Sequence, residues 1–265
     1  MLSDEQREQI KKELRYGKLS PDAGAVAGER GTAVINCLDH GFVRLVDFMG
    51  GDISIVRAAR VSYDAAWRAG EDEGSDHRLI NYLWRNKHTS PFEAVSLTFE
   101  VKAPIFVFRQ WHRHRTWSYN ELSARYRELP EEFYLPDPDK VGVQSKDNKQ
   151  ARVVSPEGEA LERNFEIGMV EAHCKVAFDL YRTLLSNGWP RELARSVLPV
   201  NTYSHMFATV NLLNLFRFLD LRDDAHAQYE IQVYAQAMRE LTKLVAPVAV
   251  ASWEKGRSNA KDDSR

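Results

Sequence analysis

The sequence lacks most features that would reveal its class at a glance. Only two of its 265 residues are cysteines, Cys37 and Cys174, and they lie far apart with no C-x-x-C pair. That usage excludes a disulfide framework and a structural zinc site. No apolar run approaches the roughly 18–20 residues that a membrane-spanning helix needs, so no membrane partner is expected. Neither sign of charge dominates, since 36 Lys and Arg against 38 Asp and Glu leave a formal net charge of −2. A protein that coats nucleic acid carries a clear basic excess, and none is present here. The nucleotide fingerprints G-x-G-x-x-G and G-x-x-x-x-G-K are missing. So is the G-x-S-x-G turn that exposes a hydrolytic serine. Met1 to Lys18 is dense in charge and has no apolar stretch of the kind a secretion signal needs. A reducing cytoplasm is the expected setting.

What is present is globular material, 43% hydrophobic and 28% charged, enough to bury a core. Residues 3–16 pair Glu8 with Lys12 and read as a solvated helix, and residues 17–31 read as a linker. Val34-Ile35 and Phe42 to Val46 flank the turn signal Asp39-His40-Gly41 and predict two short strands. Helices are predicted over 53–61 and 77–86. Val95, Leu97, Phe99 and Val101 alternate with polar residues, the clearest strand signal in the chain. Pro104 stands where a helix could open, with Ile105, Phe108 and Trp111 on its apolar face. Residues 136–156 read as a long loop, and 157–185 as a long helix stopped by Asn187-Gly188. A short helix follows Pro190, then a strand over 202–210 and helices over 211–221 and 225–244. The last ten residues are polar and predicted to be disordered. The result is one α+β domain, residues 32–250, between the N-terminal segment 1–31 and a polar C-terminal tail, 251–265.

Chemistry concentrates in Arg109-Gln110-Trp111-His112-Arg113-His114-Arg115, where five of seven residues can be cationic. The apolar segment before it places the cluster at the end of a buried element, and Trp111, Trp117, Tyr119 and Tyr126 interleave it. Guanidinium groups beside planar apolar surfaces suit a ligand with phosphates and flat rings. A solvated charged face is the competing reading. His112 and His114 could be metal ligands, but the arginines on both sides of His114 would repel a divalent cation, so no metal site is expected. Ser118 and Ser123 lack a turn that would expose a nucleophile. An RNA-binding surface with Trp111, Trp117 and Tyr119 as stacking platforms is the alternative from another class.

Arg113-His114-Arg115, seven residues, then Ser123 resembles the signature of the flavin-dependent thymidylate synthases. It sits in the longer matching stretch Arg113 to Tyr126. Further matches are Arg60-Val61-Ser62, His88 to Glu93, Arg195 to Pro199 and Leu221 to Gln228, so the resemblance covers roughly residues 32–250. It implies a mainly antiparallel sheet with long helices, and conversion of dUMP to dTMP. The one-carbon unit would come from methylenetetrahydrofolate, and reducing equivalents from FAD recharged by NADPH. It also implies a homotetramer with active sites between subunits.

Residue by residue, the resemblance assigns the flavin to Arg113, His114 and Arg115, with Ser62, His88, Ser90, Glu93, Glu121, Asn211 and Arg217 at further cofactor positions. Where some members carry an arginine two positions after Asn211, this chain has Leu213, with Arg217 one turn beyond. The positions that hold dUMP are Gln110, Trp111, His112, Arg113, Glu121, Leu122, Ser123, Ala124, Arg125, Arg195 and Arg222. Arg125 and Arg195 suit its phosphate. Arg222 matches the residue credited with activating the pyrimidine; a salt bridge to Asp220, Asp223 or Asp224 is its alternative role. Cys37 and Cys174 read as apolar fillers, so no thiol nucleophile is expected.

Overall fold

A computed structural model describes residues 33–146, 148, 151–153 and 160–262. The expected N-terminal helix and linker lie outside the described residues. Strands β1 (Val34–Cys37) and β2 (Gly41–Met49) form the anticipated hairpin. Its turn needs glycine at Gly41, where a Cβ would lie 2.7 Å from the Cys37 carbonyl oxygen and 2.8 Å from that of Lys102. Helices α1 (Asp52–Arg60) and α2 (Glu73–Arg85) lead to β3 (Ser96–Pro104). In β3, Leu97, Phe99 and Val101 are fully buried while Thr98, Glu100 and Lys102 point the other way, as the period of a strand requires. Pro104 is the last strand residue and, with ψ of 144°, caps α3 (Ile105–Trp111) instead of opening it.

Next come β4 (Ser118–Glu121), α4 (Pro138–Val141), β5 (Val143–Gln144) and β6 (Arg152–Val153). The stretch read as a plain loop therefore holds a short helix and a two-stranded hairpin. The long helix α5 (Ala160–Ser186) and the short α6 (Arg191–Ala194) precede β7 (Tyr203–Asn211). Helices α7 (Leu212–Arg222), α8 (Tyr229–Lys243) and α9 (Pro247–Asp262) complete the fold.

The main sheet runs β1-β2-β3-β7-β4, and every pairing is antiparallel. Strand β4 was not expected, because its largely exposed, polar residues carry no apolar alternation; pairing with β7 makes it a strand. The core joins the buried sheet residues to Leu215, Phe216 and Phe218 of α7, Ile231, Tyr234 and Met238 of α8 and Trp253 of α9. A small second cluster joins Phe178 and Tyr181 of α5 to Ala194 of α6.

The tail expectation is corrected, since residues 251–262 continue α9. Trp253 is fully buried, stacks on Phe216 at 5.3 Å and donates its Nε1 hydrogen to Asp220 at 2.9 Å. Its polar neighbours hid one anchoring side chain.

Candidate active site

The basic cluster is held outward by what is buried beneath it. Phe108 and Trp111 lock α3 into the core, and Trp111 stacks on Phe218 at 4.9 Å. Beyond Trp111 the chain turns, and the Tyr119 hydroxyl clasps that turn by donating to the carbonyls of Trp111 at 3.1 Å and His114 at 2.9 Å. Two expectations are corrected here. Trp111 is 0% exposed, so its side chain packs the core and offers no open face to a flat ring. Trp117 is buried as well, which removes both tryptophans as stacking platforms for RNA. The two histidines also part company. His112 packs on Phe108 and Tyr119, whereas His114 packs on Phe218. Among the described residues, no group of three or more His, Cys, Asp or Glu side chains is arranged to hold a metal.

Helix α7 delivers Arg222 to this cluster. Its Nε donates to His114 Nε2 at 3.0 Å. Burial first, and the Arg222 charge second, push the His114 pKa down to about 4, so its ring is neutral and accepts. Burial and nearby Arg113 lower the Arg222 pKa. The neighbouring carboxylates are engaged elsewhere: Asp223 by Arg239 at 2.7 Å, and Asp220 by Trp253. Among the described residues no ion pair joins Arg222 to a carboxylate, so the salt-bridge alternative is not what the structure shows. A cleft of about 470 Å³ opens here, lined by Gln110, Arg222, Asp224, His226 and Gln228 among others. Arg113 and Arg115 are exposed beside it.

The other expected residues fall into two further groups. Arg125 and Arg195 meet at Glu192, the first through its carboxylate at 3.5 Å and the second through its carbonyl at 3.4 Å. Ser123 begins the turn before Arg125, its Oγ accepting from the Arg125 amide at 3.3 Å. Leu122 is partly buried, Ala124 is buried, and Glu121 accepts from Ser204 at 2.9 Å. The second group gathers near the opposite end of α7. Asn211 caps that helix by accepting from the Asn214 amide, and the 90–94 turn bearing Ser90 and Glu93 packs beside it through Phe92 on Phe216. Ser62 follows α1, where Arg60 pairs with buried Asp76 at 2.7 Å, and His88 lies against Tyr82. Leu213 is core, whereas Arg217 is exposed one turn on. Helix α7 has 11 residues, about 16 Å at the α-helical rise. That length separates Asn211 from Arg222.

Two residues that shape the site carried no individual assignment, Gln228 and Glu230, which bond to each other at 2.8 Å, and Tyr119, read as an aromatic surface, serves instead as a clasp. Gln228 lies in a matched motif, so a signal existed. Glu230 reads as an ordinary charge in a helix, and only the fold shows that it is 2% exposed.

A cleft lined by Arg222, with Arg113 and Arg115 exposed, and none of the three in an ion pair among the described residues, has the chemistry to attract an anionic ligand. The family model "Thymidylate synthase complementing protein" matches residues 44–248. A flavin-dependent thymidylate synthase of Treponema pallidum is 50% identical over 218 residues, 82% of this chain and 70% of that protein. One from Gluconobacter oxydans is 42% identical over 264 residues, 98% of this chain and 85% of that protein. The crystal structure of the UMP/dUMP methylase PolB from Streptomyces cacaoi, bound with 5-Br dUMP, aligns with a TM-score of 0.73 at 39% identity. That alignment covers 83% of this chain and 97% of the other. The chain belongs to the flavin-dependent thymidylate synthase family. Membership brings the enzyme class and its flavin cofactor.

Proposed function

We propose that this chain converts dUMP to dTMP, with methylenetetrahydrofolate as the one-carbon donor, FAD as the flavin and NADPH as the reductant. One observation carries the reading: Arg222 is a partly buried guanidinium in a cleft, fixed through Nε by a neutral histidine and, among the described residues, joined by no ion pair to a carboxylate. Its two terminal amino groups are left for a ligand. Uracil C5 is a poor nucleophile until negative charge builds on the ring, and a fixed cation beside the ring stabilises that charge. His114 keeps the fork oriented, which a flexible ammonium could not match.

The exposed guanidinium groups of Arg113 and Arg115 fit a pyrophosphate, because among the described residues neither forms an ion pair. Bound FAD would supply a hydride carrier that NADPH recharges. Arg125 and Arg195, already gathered at Glu192, would hold the dUMP phosphate, with Ser123 and the backbone of Leu122 and Ala124 shaping that turn. No thiol is placed to attack the ring. Cys37 is buried, its pKa pushed up to about 12 by desolvation, and Cys174 is buried in α5 beside Asn201.

Of the remaining flavin positions, Ser90, Glu93 and Asn211 lie toward the end of α7 opposite Arg222 and Arg217 lies at its middle, while Ser62 and His88 lie on the segments that follow α1 and α2. One flavin held by both groups is most simply drawn between two copies of the chain, in a homotetramer. Phe165, Met169 and Val176, exposed along α5, give such copies apolar surface to share. No described helix is long and apolar enough to cross a membrane, which accords with a cytoplasmic enzyme. The test is release of tritium from C5 of labelled dUMP, with dTMP formed, by purified protein given folate and NADPH. Flavin-loaded, folded protein that does neither would overturn the proposal.

A further inference from the structure

Glu230, in the first turn of α8, is buried, and its carboxylate is fully engaged. Its Oε1 accepts from the Tyr134 hydroxyl at 3.1 Å and from Arg152 Nη2 at 2.9 Å. Its Oε2 accepts from Gln228 Nε2 at 2.8 Å. Gln228 Oε1 in turn accepts from Gln110 Nε2. The direction of this chain of bonds is imposed by chemistry. A carboxylate paired with an arginine offers acceptors only, so Gln228 must turn its NH2 inward and its oxygen outward. That oxygen then claims the NH2 of Gln110. What remains of the Gln110 amide is its acceptor Oε1, turned away from Gln228, and one N–H, and Gln110 lines the same cleft as Arg222.

We propose that Glu230 and Gln228 are positioning residues that fix the polarity of Gln110, so that the cleft offers the pyrimidine a neutral acceptor beside the Arg222 donors. The complementary group is the N3–H of a uracil ring. A cytosine ring brings a lone pair at N3, which would oppose the Gln110 oxygen. The proposal rests on the reading that dUMP occupies this cleft.

Glu230→Gln tests it with almost no change of shape. The new amide can still accept from Arg152 and Tyr134 through its oxygen, which leaves its NH2 facing Gln228. Gln228 then reverses, Gln110 follows, and the cleft presents a donor. Dissociation constants for dUMP and dCMP are measured by titration of flavin-loaded protein. Relative to wild type, the ratio of the dCMP constant to the dUMP constant should fall by about tenfold or more, the scale of one mismatched polar contact. Gln228→Leu alters an exposed position and frees Gln110 to turn either way, so the ratio should fall by a smaller factor. A purely structural role weakens both nucleotides together, and an unchanged ratio in either folded variant overturns the relay. Should Glu230→Gln fail to fold, Gln228→Leu decides alone by the same criterion. Wild-type protein that binds neither nucleotide overturns the substrate reading beneath it, a result distinct from an unchanged ratio.

Discussion

Arg222 and His114 form a donor–acceptor pair that works only while the histidine is neutral. Desolvation first, and the Arg222 charge second, hold His114 at about 4, below the ordinary value of 6.5. The unfolded chain therefore takes up this proton at higher pH than the folded one. The stability at stake is fully present above about 6.5 and is lost as pH falls toward 4. Protonation also removes the lone pair that orients Arg222, so activity should decline only as pH nears 4, where the folded protein takes up this proton. Thermal unfolding followed from pH 7 to pH 4 should show a flatter acid limb in His114→Gln than in wild type. Parallel profiles would mean that His114 does not titrate as its surroundings imply. The residue types of this pair stood out in sequence, since Arg113-His114-Arg115 is an unusual cluster. Its partner Arg222 emerged only from the resemblance, because it lies 108 positions from His114 in the chain.

At the scale of elements, period-two and turn signals announced β2 and β3, because their apolar residues face one buried side. Strand β4 gave no such signal, since an edge strand that is polar and exposed is defined by its partner β7. Helix α9 was hidden for a related reason. Its docking depends on Trp253, a single fully buried side chain in a polar stretch, with Arg257 reaching the Asp223 carbonyl at 2.6 Å. Trp253→Ala should therefore destabilise the protein by about 3–5 kcal/mol, the usual cost of deleting a large buried aromatic. Denaturant unfolding measures it. A change within about 0.5 kcal/mol, as at a surface position, would show that α9 is an appendage.

For the whole molecule, α7 separates the two sets of residues proposed to hold ligands, with Asn211 at one end and Arg222 at the other. If one site draws on both ends from different copies, two inactive variants should complement each other. Glu93→Ala and Arg222→Ala proteins, unfolded and refolded together, should recover a substantial fraction of turnover that neither has alone. No recovery in verified mixed oligomers would place each site within one chain. The central claim is that Arg222 activates the pyrimidine while other residues hold the flavin. Its most direct measurement is tritium release from C5 of labelled dUMP by flavin-loaded Arg222→Ala protein at saturating dUMP. Loss of a preorganised cation should slow release by two to three decades, about 3–4 kcal/mol of transition-state stabilisation, with flavin affinity unchanged. Release at near the wild-type rate would contradict the claim, and loss of flavin would place Arg222 at the other ligand.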